Sequence, residues 1–217
     1  MTSMLEEVEK VKARIPALNF NDKVYETADL TPHEQIYVRG KPRRYLDLAC
    51  ELLDAINGKV IVEIGCMRTK LTHPLSEFHP ACCNEGHSTL VWCQTGAQVF
   101  SVDVDWRAVR KAKRHCREFK NCRIYRKDGI KFLEHFRKKI DLLYLDAWDT
   151  VANTPYAENH LIAYLKAKDK LSDINIISID DTDVAKGGKG RLLIPVLKAE
   201  GYDILVQGRQ TIALKMP

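Results

Sequence analysis

Two stretches in the second half of the chain end an apolar run of strand length in carboxylates. They are Asp141-Leu-Leu-Tyr-Leu-Asp146-Ala-Trp-Asp149 and Ile176-Ile-Ser-Ile-Asp180-Asp181-Thr-Asp183. In an open parallel sheet, ligands sit beyond the carboxyl ends of the strands. If these two strands are neighbours, Asp146, Asp180 and Asp181 converge on one mouth. Three close carboxylates repel one another unless a cation or a proton lies among them, and hard divalent ions take such oxygen ligands. The expectation is a divalent ion at an active site. Ordinary readings stand beside it. Asp141 opens its strand, and Asp183 caps the turn Lys186-Gly187-Gly188-Lys189-Gly190, itself read as a mobile loop. As loop acids without a metal, Asp180 and Asp181 would still demand cationic partners.

A second set of strand ends lies upstream: Glu63-Ile-Gly65-Cys66-Met67-Arg68, Ser101-Val-Asp103 and Arg126-Lys127-Asp128-Gly129. Glycine directly after a buried strand lets backbone approach a ligand closely. A carboxylate at the second strand end suits two ribose hydroxyls, and one at the third suits an exocyclic adenine amine. A dinucleotide would need a Gly-x-Gly-x-x-Gly turn for its pyrophosphate. After Gly65 no glycine occurs until Gly86, which argues for a cofactor without pyrophosphate.

Alternating elements must hold these residues. A charged helix is expected over Met4–Arg14 and an amphipathic one from Pro42 to Asn57-Gly58. Strands are expected at Val60–Ile64, Gln98–Val102, Cys122–Tyr125, Asp141–Leu145 and Ile174–Ile179. Between and after them come helices at Ser88–Thr95, Trp106–Glu118, Ile130–Phe136, Tyr156–Lys170 and Gly190–Glu200. Two strands, Tyr202–Val206 and Thr211–Leu214, close the chain. Such alternation implies an α/β fold, a Rossmann-like three-layer αβα sandwich. Its seven-stranded sheet would be mostly parallel, with an antiparallel C-terminal edge hairpin.

Gly65, Asp103, Asp128 and Asp146 at the ends of successive strands, with a terminal hairpin, resemble the class I S-adenosylmethionine-dependent methyltransferases. The resemblance covers residues 42–217, leaving 1–41 as an N-terminal helical and loop segment expected to fold over the mouth. It implies that Glu63 and Gly65 border the methionine part of the cofactor, that Asp103 holds the ribose and that Asp128 lies near the adenine. The family loop has the form Glu-x-Gly-x-x-Arg-Gly-x-Ser-Thr. Arg68 and Gly86-His87-Ser88-Thr89 match its two halves, so Arg68, Gly86 and Ser88 join the cofactor set, and residues 69–85 read as an insertion. His73, His79, Cys82 and Cys83 in it are zinc-ligand types, but the Cys-x-x-Cys spacing is missing, and the segment is read as a loop near the mouth.

Within the family, Asp146, Asp180 and Asp181 resemble the metal ligands of cation-dependent O-methyltransferases, which implies magnesium. Such an ion anchors a substrate hydroxyl and lowers its pKa. The position three residues after the first ligand, a base in relatives, is Asp149 here. His160 is the second candidate, and Trp148 is read as a pocket wall. The expected activity is magnesium-assisted O-methylation of a small hydroxylated molecule. Kept beside it are a metal-independent N- or O-methyltransferase, an RNA methyltransferase and a non-catalytic binding module of the same fold.

Composition narrows the setting. The chain has 217 residues, 45% hydrophobic and 29% charged, as in one soluble domain. No run approaches a membrane span and no signal segment is visible, so the expectation is cytoplasmic, as a homodimer in the manner of small enzymes of this kind. Seven cysteines, an odd number, read as reduced, with Cys50, Cys93 and Cys116 as small core residues. Net charge is +5, and residues 107–139 hold fourteen Lys or Arg against three acids. The solvated outer face of two helices is favoured there over a nucleic-acid surface, because Phe119, Tyr125, Phe132 and Phe136 fall at core spacings.

Overall fold

The computed structural model describes residues 3–18, 20, 41–68, 82–83 and 87–217. Its seven main strands are β1 (Val60–Ile64), β2 (Gln98–Asp103), β3 (Cys122–Arg126), β4 (Ile140–Leu145), β5 (Leu171–Ile179), β6 (Asp203–Gln207) and β7 (Thr211–Lys215). The helices are α1 (Met4–Arg14), α2 (Arg43–Ala55), α3 (Ser88–Gln94), α4 (Trp106–His115), α5 (Gly129–His135), α6 (Tyr156–Ala167) and α7 (Leu193–Ala199). The seven strands form one sheet in the order β3-β2-β1-β4-β5-β7-β6. The pairs β1–β2, β1–β4, β2–β3 and β4–β5 are parallel, and β7 is antiparallel to both neighbours. Strand order reverses between β1 and β4, where an open α/β sheet binds its ligand.

Buried strands between two helical layers need apolar side chains on both faces. On β4, Leu142 and Tyr144 face the layer holding α1, α2 and α3, while Leu143 and Leu145 face α5, α6 and α7. A capping box, Ser3 with Glu6, starts α1. Val8 and Val11 then bury that helix in the same core as α2. Asp105 and Asp128 cap α4 and α5 by accepting from backbone N–H groups. The aromatics of the basic stretch do pack inward: Tyr125–Phe132, Phe132–Phe136 and Phe100–Phe136 ring centres lie 5.4, 5.4 and 5.0 Å apart.

The expected three-layer architecture is present, with two local differences in its helices. The antiparallel C-terminal hairpin lies at the edge as expected, with β7 pairing with β5 and β6 outermost. The half-exposed side chains of β6 suit an edge, and the buried Thr211-Ile-Ala-Leu run suits an interior strand. The helix expected over 190–200 begins only at Leu193. Ahead of it, 185–190 is a tight turn with Lys186, Gly187 and Gly188 at φ 64°, 88° and 50°. The helix expected to Glu118 ends at His115, where the next residue leaves helical ψ.

Lys41–Pro42 pairs antiparallel with Cys82–Cys83, so the ends of two long connections meet. The expectations for His73, His79 and Gly86 fall outside the described residues, as does most of 69–85. Among the described residues no helix is long and apolar enough to cross a membrane.

Candidate functional site

The loop after β1 is held from below by Glu63. This carboxylate is 0% exposed. It accepts from Ser88 Oγ (2.7 Å), Thr89 Oγ1 (2.6 Å), Trp92 Nε1 (3.1 Å) and Ser101 Oγ (2.5 Å). Ser88, Thr89 and Trp92 share one helical face, so Glu63 clamps α3 to the sheet. Thr89 Oγ1 in turn accepts from the Met67 backbone N–H (3.1 Å), tying the loop into the same network. All four donors to Glu63 are neutral. Burial therefore wins, and its pKa is pushed up to about 7 despite the hydrogen bonds, with the Asp146 charge adding to the effect. Glu63 and Ser88, both expected at the cofactor, are buried and hydrogen-bonded to each other.

Gly65 sits at φ +98°, and a Cβ there would lie 2.8 Å from the Asp146 carbonyl. The backbone bonds Gly65 N–H to Val102 O and Asp146 N–H to Ile64 O, both 2.8 Å, lock the loops of β1 and β4 together. Asp103, half-buried, accepts from the backbone N–H groups of Cys66 (3.1 Å) and Asp105 (2.8 Å). Asp128 is exposed and caps α5 through the Lys131 N–H (2.9 Å). Around them lies a cavity of about 340 Å³, lined by Ile64, Arg68, Asp103, Asp128, Trp148 and Asp149 among others. A larger depression of about 500 Å³ shares Lys127 and Asp128 but is otherwise lined by α5 and the turn after it, off the strand ends.

The three acids of the second half do converge. Ligand-type oxygens of Asp146, Asp180 and Asp181 all lie within 4.8 Å of one another. Two basic side chains stand among them. Lys189, 1% exposed, places Nζ 2.9 Å from Asp146 Oδ1, 3.0 Å from Asp181 Oδ2 and 3.3 Å from the Asp146 carbonyl. Arg209 Nη2 lies 2.9 Å from Asp181 Oδ1. Gln210 Nε2 donates to Asp180 Oδ1 (2.9 Å) and to the Tyr144 hydroxyl (3.0 Å). Lys189, Arg209 and Gln210 were not anticipated. The glycine-rich turn read as a mobile loop is packed instead: a Cβ on Gly188 would lie 1.9 Å from Asp181 O. Lys189 N–H donates to that same carbonyl (3.2 Å). Asp183 is exposed, and no side chain caps the turn.

The two base candidates differ. Asp149 is exposed and pairs with Arg68 Nη1 at 2.7 Å. His160 is fully buried, edge-on to Trp148 with ring centres 5.2 Å apart. Its Nδ1 lies 2.6 Å from the Tyr156 carbonyl, which only accepts, so Nδ1 carries the proton and Nε2 the lone pair. Burial, then the charge of Lys189, lowers its pKa to about 4, so the ring is neutral at physiological pH. Nε2 makes no hydrogen bond within the described structure. At the opposite, amino end of the sheet, Cys93, Cys116 and Cys122 cluster with their sulfurs within 4.8 Å, the first two buried in the core as expected.

No protein-family model and no curated protein matches this sequence. Solved structures do match. A methyltransferase from Geobacter sulfurreducens superposes with a TM-score of 0.58 at 13% identity, over 96% of each chain. Cofactor-bound Rv0187 from MTB gives 0.60 at 14% identity, over 99% of this chain and 89% of that one. The chain has the class I S-adenosylmethionine-dependent methyltransferase fold. The O-methyltransferase from Bacillus cereus in complex with SAH matches at 0.56 and 15% identity, over 100% and 92% of the two chains. At these identities the likeness is one of fold, and the chemistry has to come from this chain's own residues.

Proposed function

We propose that this protein is an S-adenosylmethionine-dependent methyltransferase acting on a hydroxyl of a small molecule. The observation that carries the reading is one cavity at the carboxyl ends of the strands, bounded by Asp103 and Asp128 on one side and by Trp148 and Asp149 on the other. The residues fit the cofactor. Asp103 would offer its carboxylate to the ribose hydroxyls, Asp128 would stand by the adenine, and Gly65 and Arg68 would form the loop against the methionine part. Bound there, the cofactor supplies a methyl group on a sulfonium cation, which favours the acidic lining. Solved relatives by fold include an O-methyltransferase in complex with SAH, which supports the cofactor and the class of acceptor.

The chain's own tasks are to orient the acceptor hydroxyl and take its proton. Of the two candidates, Asp149 is the better placed base: it is exposed and lines the cavity, whereas His160 is fully buried behind Trp148, is absent from the cavity wall and has its pKa pushed down to about 4. Asp146, Asp180 and Asp181 are the residues that would hold the expected magnesium, and their oxygens suit it. The fit fails on the cation already there, since Lys189 stands on Asp146 and Asp181. The described helix α1 of the N-terminal segment lies away from this mouth: it packs on α2, with Arg14 on Glu51 and Lys12 on Asp203 at the start of β6, the amino end of the sheet.

The test is transfer of labelled methyl from S-adenosylmethionine to a panel of small hydroxylated compounds. Transfer by the wild type, lost in Asp103→Ala and lowered roughly 100-fold in Asp149→Asn, supports the assignment. Label appearing on RNA and on no small molecule would move the assignment to the RNA alternative.

A further inference from the structure

We infer that the ammonium of Lys189 is the resident cation of the Asp146–Asp180–Asp181 cluster, in the place that the sequence suggested for a divalent metal. The inference deepens the proposed function, since it concerns the acceptor side of the same mouth. Lys189 has three N–H protons, and three oxygens stand within 3.3 Å of its nitrogen: Asp146 Oδ1, Asp181 Oδ2 and the Asp146 carbonyl. A magnesium ion needs carboxylate oxygens at about 2.0–2.1 Å in near-octahedral geometry. An ammonium bound to the same two carboxylates blocks that approach sterically and by like charge. The remaining Asp181 oxygen is bound to Arg209 and one Asp180 oxygen to Gln210, so the first two donors a metal would want are already bridged to protein groups.

The turn carrying Lys189 is built to deliver it. Three successive left-handed residues, Lys186, Gly187 and Gly188, reverse the chain tightly. At Gly188 only glycine fits against the Asp181 carbonyl, and Gly190 packs against Thr182 and Ile194 with no room for a Cβ. Such a turn holds the lysine stem straight into the cluster instead of letting it snorkel to solvent, the usual course for this side chain. The consequence is a methyl-transfer mouth whose carboxylates have protein cations, not a metal, as their partners. Lys189 is a positioning residue in this scheme, since at 1% exposure it does not touch a substrate.

Manganese(II) titration followed by electron paramagnetic resonance tests this without any substrate. The full-length wild type should show no manganese site tighter than about 1 mM. Lys189→Met, which keeps the stem and removes the charge, should gain a site at least roughly tenfold tighter that is lost again in Lys189→Met/Asp146→Asn. One equivalent of manganese bound tightly by the wild type and abolished by Asp181→Asn would overturn the inference. That wild-type arm decides the question even if Lys189→Met fails to fold. Binding of S-adenosylhomocysteine, measured on the same samples, reports separately on the methyltransferase reading.

Discussion

Two groups of buried carboxylates, side by side at the strand ends, solve the same electrostatic problem in opposite ways. Glu63 is surrounded by four neutral donors and has no cation, and its pKa rises to about 7. Asp146 and Asp181 are bridged by an ammonium, with a guanidinium on Asp181. Neutral donors stabilise a charge less than an opposite charge does, but they do not bring a second ion out of water. Glu63 therefore behaves as a hinge pin that tolerates protonation, while the aspartate cluster is a fixed field facing the mouth. The difference assigns structure to one half and chemistry to the other.

The largest effect should follow removal of the cation. Lys189→Met takes the ammonium from buried Asp146 and leaves Asp181 only its guanidinium, which costs about 3–5 kcal/mol. In a chain of this size that is a fall of roughly 10 °C in Tm, read by calorimetry. Adding Asp146→Asn should recover part of the loss. A mutant as stable as the wild type would show the ammonium to be dispensable.

Next comes the pH dependence of the Glu63 side. Its folded pKa, about 7, lies above the ordinary 4.5. The folded state then binds more protons than the unfolded chain between these values, so stability falls as pH rises through that window. The contribution is fully present below about pH 4.5, is lost by about pH 7 and is worth on the order of 3 kcal/mol at most. Glu63→Gln should flatten that slope in denaturant titrations at pH 5 and pH 7.5, with a smaller loss of stability than Lys189→Met. A slope unchanged by Glu63→Gln would assign it to another group.

The smallest effect is expected at the surface. The Arg68–Asp149 pair is exposed, with side chains 39% and 62% accessible. Asp149→Asn should change stability by less than about 1 kcal/mol. Methyl transfer should nevertheless fall with Asp149→Asn; if it fell further with His160→Asn, the base would have to be reassigned to His160.

Much of this was legible in the sequence because strand-end carboxylates and Gly65 announce themselves by position. Asp103, Asp128, Asp146, Asp180 and Asp181 all lie at the ends of the strands read from apolar runs. The cations were not legible. Lysine is seldom buried, so a Lys in a glycine-rich turn reads as solvated, and only the packing of Gly188 on Asp181 reveals otherwise. Arg209 and Gln210 sit in a hairpin whose placement depends on which strand pairs with β5, a tertiary choice. Ser88 and Thr89 were in view as part of the loop motif, but their hydrogen bonds to Glu63 were not, because spacing does not tell which way a side chain at a helix start points.

The most direct test of the functional assignment is calorimetric titration of S-adenosylhomocysteine into the wild type and Asp103→Ala. Binding on the order of micromolar by the wild type, weakened at least roughly tenfold in Asp103→Ala, is the result expected of a methyltransferase cofactor site. Absence of binding by properly folded wild type would contradict it and leave the Lys189-centred cluster without a methyl donor to face.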